Sequence, residues 1–203
     1  MNSRATNEEE HRLIERFREG APEAMEEIVS RYEDSLYNFG FRMCGHKEDA
    51  EDILQDTFLS AYRYLDGFRE ETRLKNWLFK IAANACYRKR RKKKGEPDFE
   101  LSLEALLPGD GAAGQFDIPD WSSDPSERLL QSELKEVIGE AVRALPPKYR
   151  MVFNLRDMEG FSTEETASIL EITPQAVKTR LHRARLFLRK EISERYRREL
   201  PNA

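Results

Sequence analysis

Two cysteines in 203 residues, Cys44 and Cys86, make no disulfide framework and no zinc spacing. A reducing compartment, the cytoplasm, is therefore expected. The three histidines, His11, His46 and His182, are scattered, and Cys44 and His46 lack two further ligands at useful spacing. No metal or other cofactor is expected. There is no Gly-rich loop of the kind that cradles phosphates, and no nucleophile, base and orienting group stand out as a set. The expectation is a protein that is not an enzyme and has no small-molecule substrate. No run approaches the roughly 18 apolar residues needed to span a bilayer. The opening MNSRATNEEE is polar and acidic, unlike a secretory signal. The chain is not expected to be a membrane protein.

What is there is charge, and it is unevenly placed. The net charge of −4 argues by itself against a polyanionic partner. The distribution argues the other way. Residues 1–67 carry 8 Lys/Arg and 16 Asp/Glu, whereas residues 68–94 carry 11 and 2. Residues 95–124 carry 8 acids and no base, residues 125–172 carry 6 bases and 9 acids, and residues 173–203 carry 9 and 3. A polyanion senses local potential, screened beyond about 8–10 Å, and not the chain average. Each basic island alone also fits a merely solvated face.

The pattern of apolar residues is helical. Ala50, Ile53, Leu54, Phe58, Ala61, Tyr62 and Leu65 recur at three- and four-residue steps, with Glu48, Asp49, Glu51, Asp52, Gln55 and Asp56 opposite. A further helix is expected from about Lys75 to Lys93, with Leu78, Ile81, Ala82 and Ala85 inward. Residues 95–124 hold four Gly and three Pro and read as a linker. Its apolar residues, Phe99, Leu101, Leu103, Leu106, Leu107, Phe116 and Trp121, are unusual for free chain and suggest docking. Asp124-Pro125-Ser126-Glu127 reads as a helix start. Leu130, Leu134, Val137, Ile138, Ala141 and Leu145 form its inner stripe, ended by Pro146-Pro147. A helix over about residues 147–157 follows, then Gly160 and the capping box Ser162-Thr163-Glu164-Glu165. The fold class is all-α: two small helical domains joined by a flexible acidic linker.

Two stretches carry the chemistry. Residues 161–188, FSTEETASILEITPQAVKTRLHRARLFL, have helix-turn-helix grammar. A short helix over about residues 163–170 precedes a tight turn, and Thr173-Pro174 begins a second helix. The second helix displays Gln175, Lys178, Thr179, Arg180, His182, Arg183 and Arg185 outside its apolar seam. Arg forks onto guanine, Gln and Thr bond other base edges, and the remaining cations hold phosphates. In residues 68–94, Phe68, Trp77, Phe79 and Tyr87 interleave with Arg69, Arg73, Lys75, Lys80 and the run Arg88 to Lys94. Stacked bases contribute on the order of 1–3 kcal/mol each, so this composition suits an unpaired strand. Trp77 and Phe79 also fit a protein core, and the helix pair also fits an ordinary bundle. A conventional repressor or activator explains residues 161–188 but leaves the aromatic-basic stretch and the acidic helix idle.

Three stretches together resemble one family. RYEDSLYNFGFRMCGHKEDAEDILQDTFLSAYRYLDGF, FREETRLKNWLFKIAANACYRKRR, and LPPKYRMVFNLRDMEGFSTEETASIL with ITPQAVKTRLHRAR are similar to the extracytoplasmic-function (ECF) subgroup of sigma-70 RNA polymerase sigma factors. The resemblance implies a region 2 domain over residues 10–94, an acidic linker over 95–124 and a region 4 helix-turn-helix domain over 125–195. It implies docking on the clamp helices of core RNA polymerase through Asp52, Gln55 and Asp56, with the polymerase flap as a further contact. It implies recognition and opening of the minus-ten element by Phe68, Arg69, Lys75, Asn76, Trp77, Lys80, Asn84 and Arg88, with one base flipped out. It implies reading of the minus-thirty-five element by Gln175, Lys178, Thr179, Arg180, His182 and Arg183. Ser162 and Thr163, at a helix N-terminus, suit a phosphate. Promoter DNA and an anti-sigma factor are the further partners implied. The anti-sigma factor would hold the protein idle, in some cases at the inner face of the membrane. The linker's eight carboxylates would imitate a nucleic-acid strand on the RNA path.

Overall fold

The computed structural model describes residues 3–92, 101 and 137–199. The described residues form helices and connecting turns, with no strand among them. Four helices build the first unit: α1 (Ser3–Arg18), α2 (Pro22–Cys44), α3 (Lys47–Tyr64) and α4 (Leu74–Lys92). Pro22 starts α2, where its missing N–H costs nothing. Gly45 ends α2 at φ 77°, returning its N–H to the Phe41 carbonyl. Gly40 lets α3 pass close, because a Cβ there would sit 3.4 Å from the Ala50 Cα. Ile14, Ile28, Leu36, Phe39, Ile53, Leu65, Leu78 and Phe79 close the core, each at most 1% exposed.

The second unit begins, within the described residues, with α5 over residues 137–144. Then come α6 (Pro147–Phe153), a π-helical turn (Asn154–Met158), α7 (Thr163–Leu170) and α8 (Pro174–Glu199). The expected single helix over 147–157 thus changes register at Asn154. The wider turn carries Asn154, fully buried, into a polar contact with α2. The capping box is present: the Glu165 N–H donates to Ser162 Oγ (3.1 Å), and the Ser162 N–H donates to Glu165 Oε2 (2.8 Å). Ala167, Val177 and Leu181 form the helix-turn-helix joint with Val152.

Of the linker's apolar residues, Leu101 docks as expected. It is buried among Val142, Leu145, Tyr149 and Leu188, and its N–H donates to the Tyr149 hydroxyl at 3.1 Å. Phe99, Leu103, Leu106, Leu107, Phe116 and Trp121, like the expected helix start at Asp124 and the stripe residues Leu130 and Leu134, lie outside the described residues. One expectation for α3 fails. Tyr62 lies at the edge of the apolar stripe and is 62% exposed, its ring edge meeting Phe17 at 5.7 Å.

The two units share one core. Met151, Leu155, Phe161 and Ile169 of the second are buried in the cluster that holds Phe39, Leu78 and Phe79 of the first. Phe79 meets Phe39 at 5.3 Å and Phe161 at 4.9 Å, both edge to face. Phe39→Ala removes the inner ring of this series. Urea unfolding is expected to register a loss of about 3–5 kcal/mol.

Candidate nucleic-acid interface

The aromatic and basic residues of the 68–94 stretch divide by depth. Phe68 is 7% exposed and packs on the half-buried Trp77, ring centroids 4.9 Å apart. Phe79 is fully buried and is core. Arg69, Asn84 and Arg88 are exposed on the first unit. Lys75, Asn76 and Lys80 meet the second unit instead. Lys75 Nζ donates to the Glu159 carbonyl at 3.0 Å and stands 4.7 Å from the Phe161 ring centroid. Asn76, 7% exposed, donates through Nδ2 to Glu165 Oε1 at 3.1 Å, while its buried Oδ1 has no partner among the described residues. Lys80 Nζ pairs with Glu171 Oε1 at 2.7 Å.

Two arginines fasten the same joint, and sequence reading named neither. Arg42 donates through Nε to Asn154 Oδ1 at 3.0 Å and pairs through Nη2 with Glu159. Burial pushes the Glu159 carboxyl up, against Arg42 and Lys75, which pull it down. Arg150 reaches across to cap α2: its Nη1 donates to the Met43 carbonyl at 2.7 Å, and its Nε and Nη2 donate to the Leu145 carbonyl. Burial lowers the Arg150 pKa to about 10. Glu165 is pushed up by burial, but the Ser162 N–H and the Asn76 amide outweigh this and hold it below the usual range. The only advance signal for these residues is their charge inside apolar stretches.

On the second unit, Gln175, Lys178, Thr179 and His182 are exposed, and Arg180 and Arg183 are half-buried on the same helix. Ser162 and Thr163 are half-buried at the N-terminus of α7. Ser162 Oγ is already committed to the Glu165 N–H. Arg185 forks onto Asp157 at 2.8 and 2.6 Å, so it braces the π-helical turn. On α3, Asp52, Gln55 and Asp56 are exposed together. Lys89 Nζ bridges Asp49 and Asp52, and Arg88 stands 4.0 Å from Asp56. Leu59, 48% exposed one turn further on, extends this face with an apolar contact that sequence reading left out.

The Sigma-70 region 2 family matches residues 28–96, and the Sigma-70, region 4 family matches residues 135–188. The ECF RNA polymerase sigma factor SigW of Bacillus subtilis is 34% identical over 184 residues, covering 89% of this chain and 95% of that protein. This chain belongs to the ECF RNA polymerase sigma factors. The ECF RNA polymerase sigma-E factor of Escherichia coli is 30% identical over 85% of this chain and 88% of its own length. The fold is shared with CnrH, solved in complex with the cytosolic domain of CnrY, at a TM-score of 0.64 and 22% identity over 91% of this chain and 97% of that one. It is shared also with the sigma factor RpoE of Bartonella quintana, solved with the anti-sigma factor NepR, at 0.60 and 22% over 83% and 96%. No described helix is long and apolar enough to cross a membrane.

In this ECF sigma factor the joint covers three of the eight residues expected at the minus-ten element. Arg42→Ala leaves the Glu159 side chain, 8% exposed, without its guanidinium partner. The joint is expected to loosen by about 1–3 kcal/mol. Energy transfer between dyes on α1 and on the C-terminal half of α8 is expected to fall. Unchanged transfer would show that the pair does not hold the units together.

Proposed function

We propose that this sigma factor divides promoter recognition between its two units: region 2 over residues 10–94 and region 4 over 125–195, joined by the acidic linker 95–124. The single observation that carries the reading is that two helices, α4 and α8, each turn a cationic or amide-bearing face away from the apolar residues of their own unit. On α8, Gln175, Lys178, Thr179, Arg180, His182 and Arg183 read the minus-thirty-five element in the major groove, and Ser162 and Thr163 approach a phosphate. On α4 and the preceding loop, Arg69, Lys75, Asn76, Lys80, Asn84 and Arg88 grip the opened minus-ten strand. The unused Asn76 Oδ1 gives a base edge an acceptor. Phe68 and Trp77 form the apolar floor under that grip, since their packing leaves little ring face for stacking.

Core RNA polymerase docks through Asp52, Gln55 and Asp56 at its clamp helices, with Leu59 adding apolar area, and through its flap on the second unit. The closed joint is the idle state. Lys75, Asn76 and Lys80 must leave Glu159, Glu165 and Glu171 before they meet DNA. An anti-sigma factor of the kind bound by the solved relatives stabilises such an idle state. The protein acts in the cytoplasm, held at the inner membrane face where its anti-sigma factor is membrane-linked, and it carries out no catalytic step itself.

Run-off transcription with core polymerase on a randomised promoter library is expected to yield defined start sites. A conventional repressor would instead bind duplex DNA tightly without polymerase. Arg183→Ala is expected to weaken use of the upstream element by about 1–3 kcal/mol, read from library enrichment. Asn84→Ala is expected to slow permanganate-detected opening more than closed-complex formation; equal losses in both steps would remove the proposed division of labour.

A further inference from the structure

The loop between α3 and α4, residues 65–73, carries Arg69, whose side chain is 85% exposed. Phe68 seats one end of the loop on Trp77, and the buried Leu74 closes the other. Between them Arg69, Glu71 and Thr72 are exposed. The loop arches over a cleft of about 140 Å³ against α1, lined by Glu10, His11 and Ile14 of α1 and by Phe68, Glu70 and Thr72 of the loop.

Polar contacts cross that cleft from α1. Arg18, the last residue of α1, donates through Nε to the Asp66 carbonyl at 3.3 Å and through Nη2 to the Phe68 carbonyl. Its Nη1 pairs with Glu70 Oε1 at 2.8 Å, and His11 Nδ1 stands 2.6 Å from Glu70 Oε2. Burial pushes the Glu70 carboxyl up, but the hydrogen bonds from His11 and Arg18 outweigh this and hold it below the usual range. Glu70 has φ 57°, a left-handed backbone that residues other than Gly and Asn seldom adopt. Such a conformation persists where its surroundings fix it. At the far end Glu10, 2% exposed, takes the Leu74 N–H at 3.0 Å and so fixes where α4 begins.

We propose that Arg18 is a specificity-determining positioning residue for the minus-ten element, setting the base preference of the loop by fixing its backbone from Asp66 to Glu70. Each of its three guanidinium nitrogens is engaged by the loop, so it acts on DNA through Arg69. The inference rests on the proposed reading of this loop at the opened strand. A loosened loop still offers Arg69 to a phosphate, which is the same beside every base. It loses the register that favours one base edge over another. Lysine cannot replace the guanidinium here, because a point charge does not fork onto two carbonyls and a carboxylate together.

The test uses core polymerase with the full chain, wild type or variant, on a library randomised at both promoter elements. In Arg18→Ala, enrichment of the preferred minus-ten base is expected to fall on the order of tenfold, the discrimination that one base contact carries. The minus-thirty-five preference is expected to stay unchanged. Arg18→Lys is expected to fall between wild type and Arg18→Ala. Glu70→Gln, which keeps size and removes charge, is expected to flatten the same preference and serves as the second variant should Arg18→Ala fail to fold. Positioning is also read without DNA or polymerase. The Phe68 N–H, which donates to the Leu65 carbonyl at 3.1 Å, is expected to exchange its hydrogen faster in Arg18→Ala. The inference is overturned if Arg18→Ala keeps the wild-type preference at every minus-ten position, loses preference equally at both elements, or leaves Phe68 exchange unchanged. A wild-type protein with no minus-ten preference would remove the promoter reading itself and this inference with it.

Discussion

The structure turns on one buried ring. Phe79 sits between Phe39 of α2 and Phe161 of the second unit, and each contact is edge to face at about 5 Å. Because α4 buries this side, its opposite side is left for Asn84 and Arg88. Because Phe161 completes the ring series, the second unit rests on the helix that carries Lys75, Asn76 and Lys80. The polar contacts around the rings follow from that placement. Glu159 reaches Arg42, Glu165 reaches Asn76 and Glu171 reaches Lys80.

The sequence made some of this legible and concealed the rest for physical reasons. The helix-turn-helix was readable because its grammar is local: a capping box, a three-residue turn and a proline at the start of the next helix. Family membership was readable because three stretches match in order. The π-helical turn was not, because Asn154–Met158 has the composition of an ordinary helix, and the Arg42 that meets Asn154 lies 112 positions away, where no local pattern announces it. Tyr62 was misplaced because an aromatic at the edge of a helical stripe is apolar enough to count as core and polar enough to leave it. The joint was invisible because Arg42 and Arg150 sit among apolar residues where their partners, the Glu159 carboxylate, the Asn154 amide and backbone carbonyls, are over a hundred positions away or have no side-chain signature.

The energetics of the joint divide into a part that DNA could replace and a part that it could not. Lys80–Glu171 is a surface pair, 40% and 74% exposed, and such pairs contribute about 0–1 kcal/mol. Lys75 holds a carbonyl and stands over the face of the Phe161 ring. A phosphate backbone offers both lysines contacts at least as favourable, so exchanging them costs little. The apolar contacts behave differently. Opening exposes Phe161, Leu155, Met151 and Ile169, each now at most 3% exposed, and a side chain of that size costs about 1.5–3 kcal/mol to return to water. No contact with a strand recovers that loss. On the proposed reading, promoter DNA alone therefore cannot open the joint, although it would compete well for every charge around it. The agent that separates the units has to supply apolar area or hold each unit at its own docking face, as the exposed Asp52, Gln55, Asp56 and Leu59 surface would permit for the first. Polymerase dependence then follows from which kind of contact closes the molecule, without any special sensor for the enzyme.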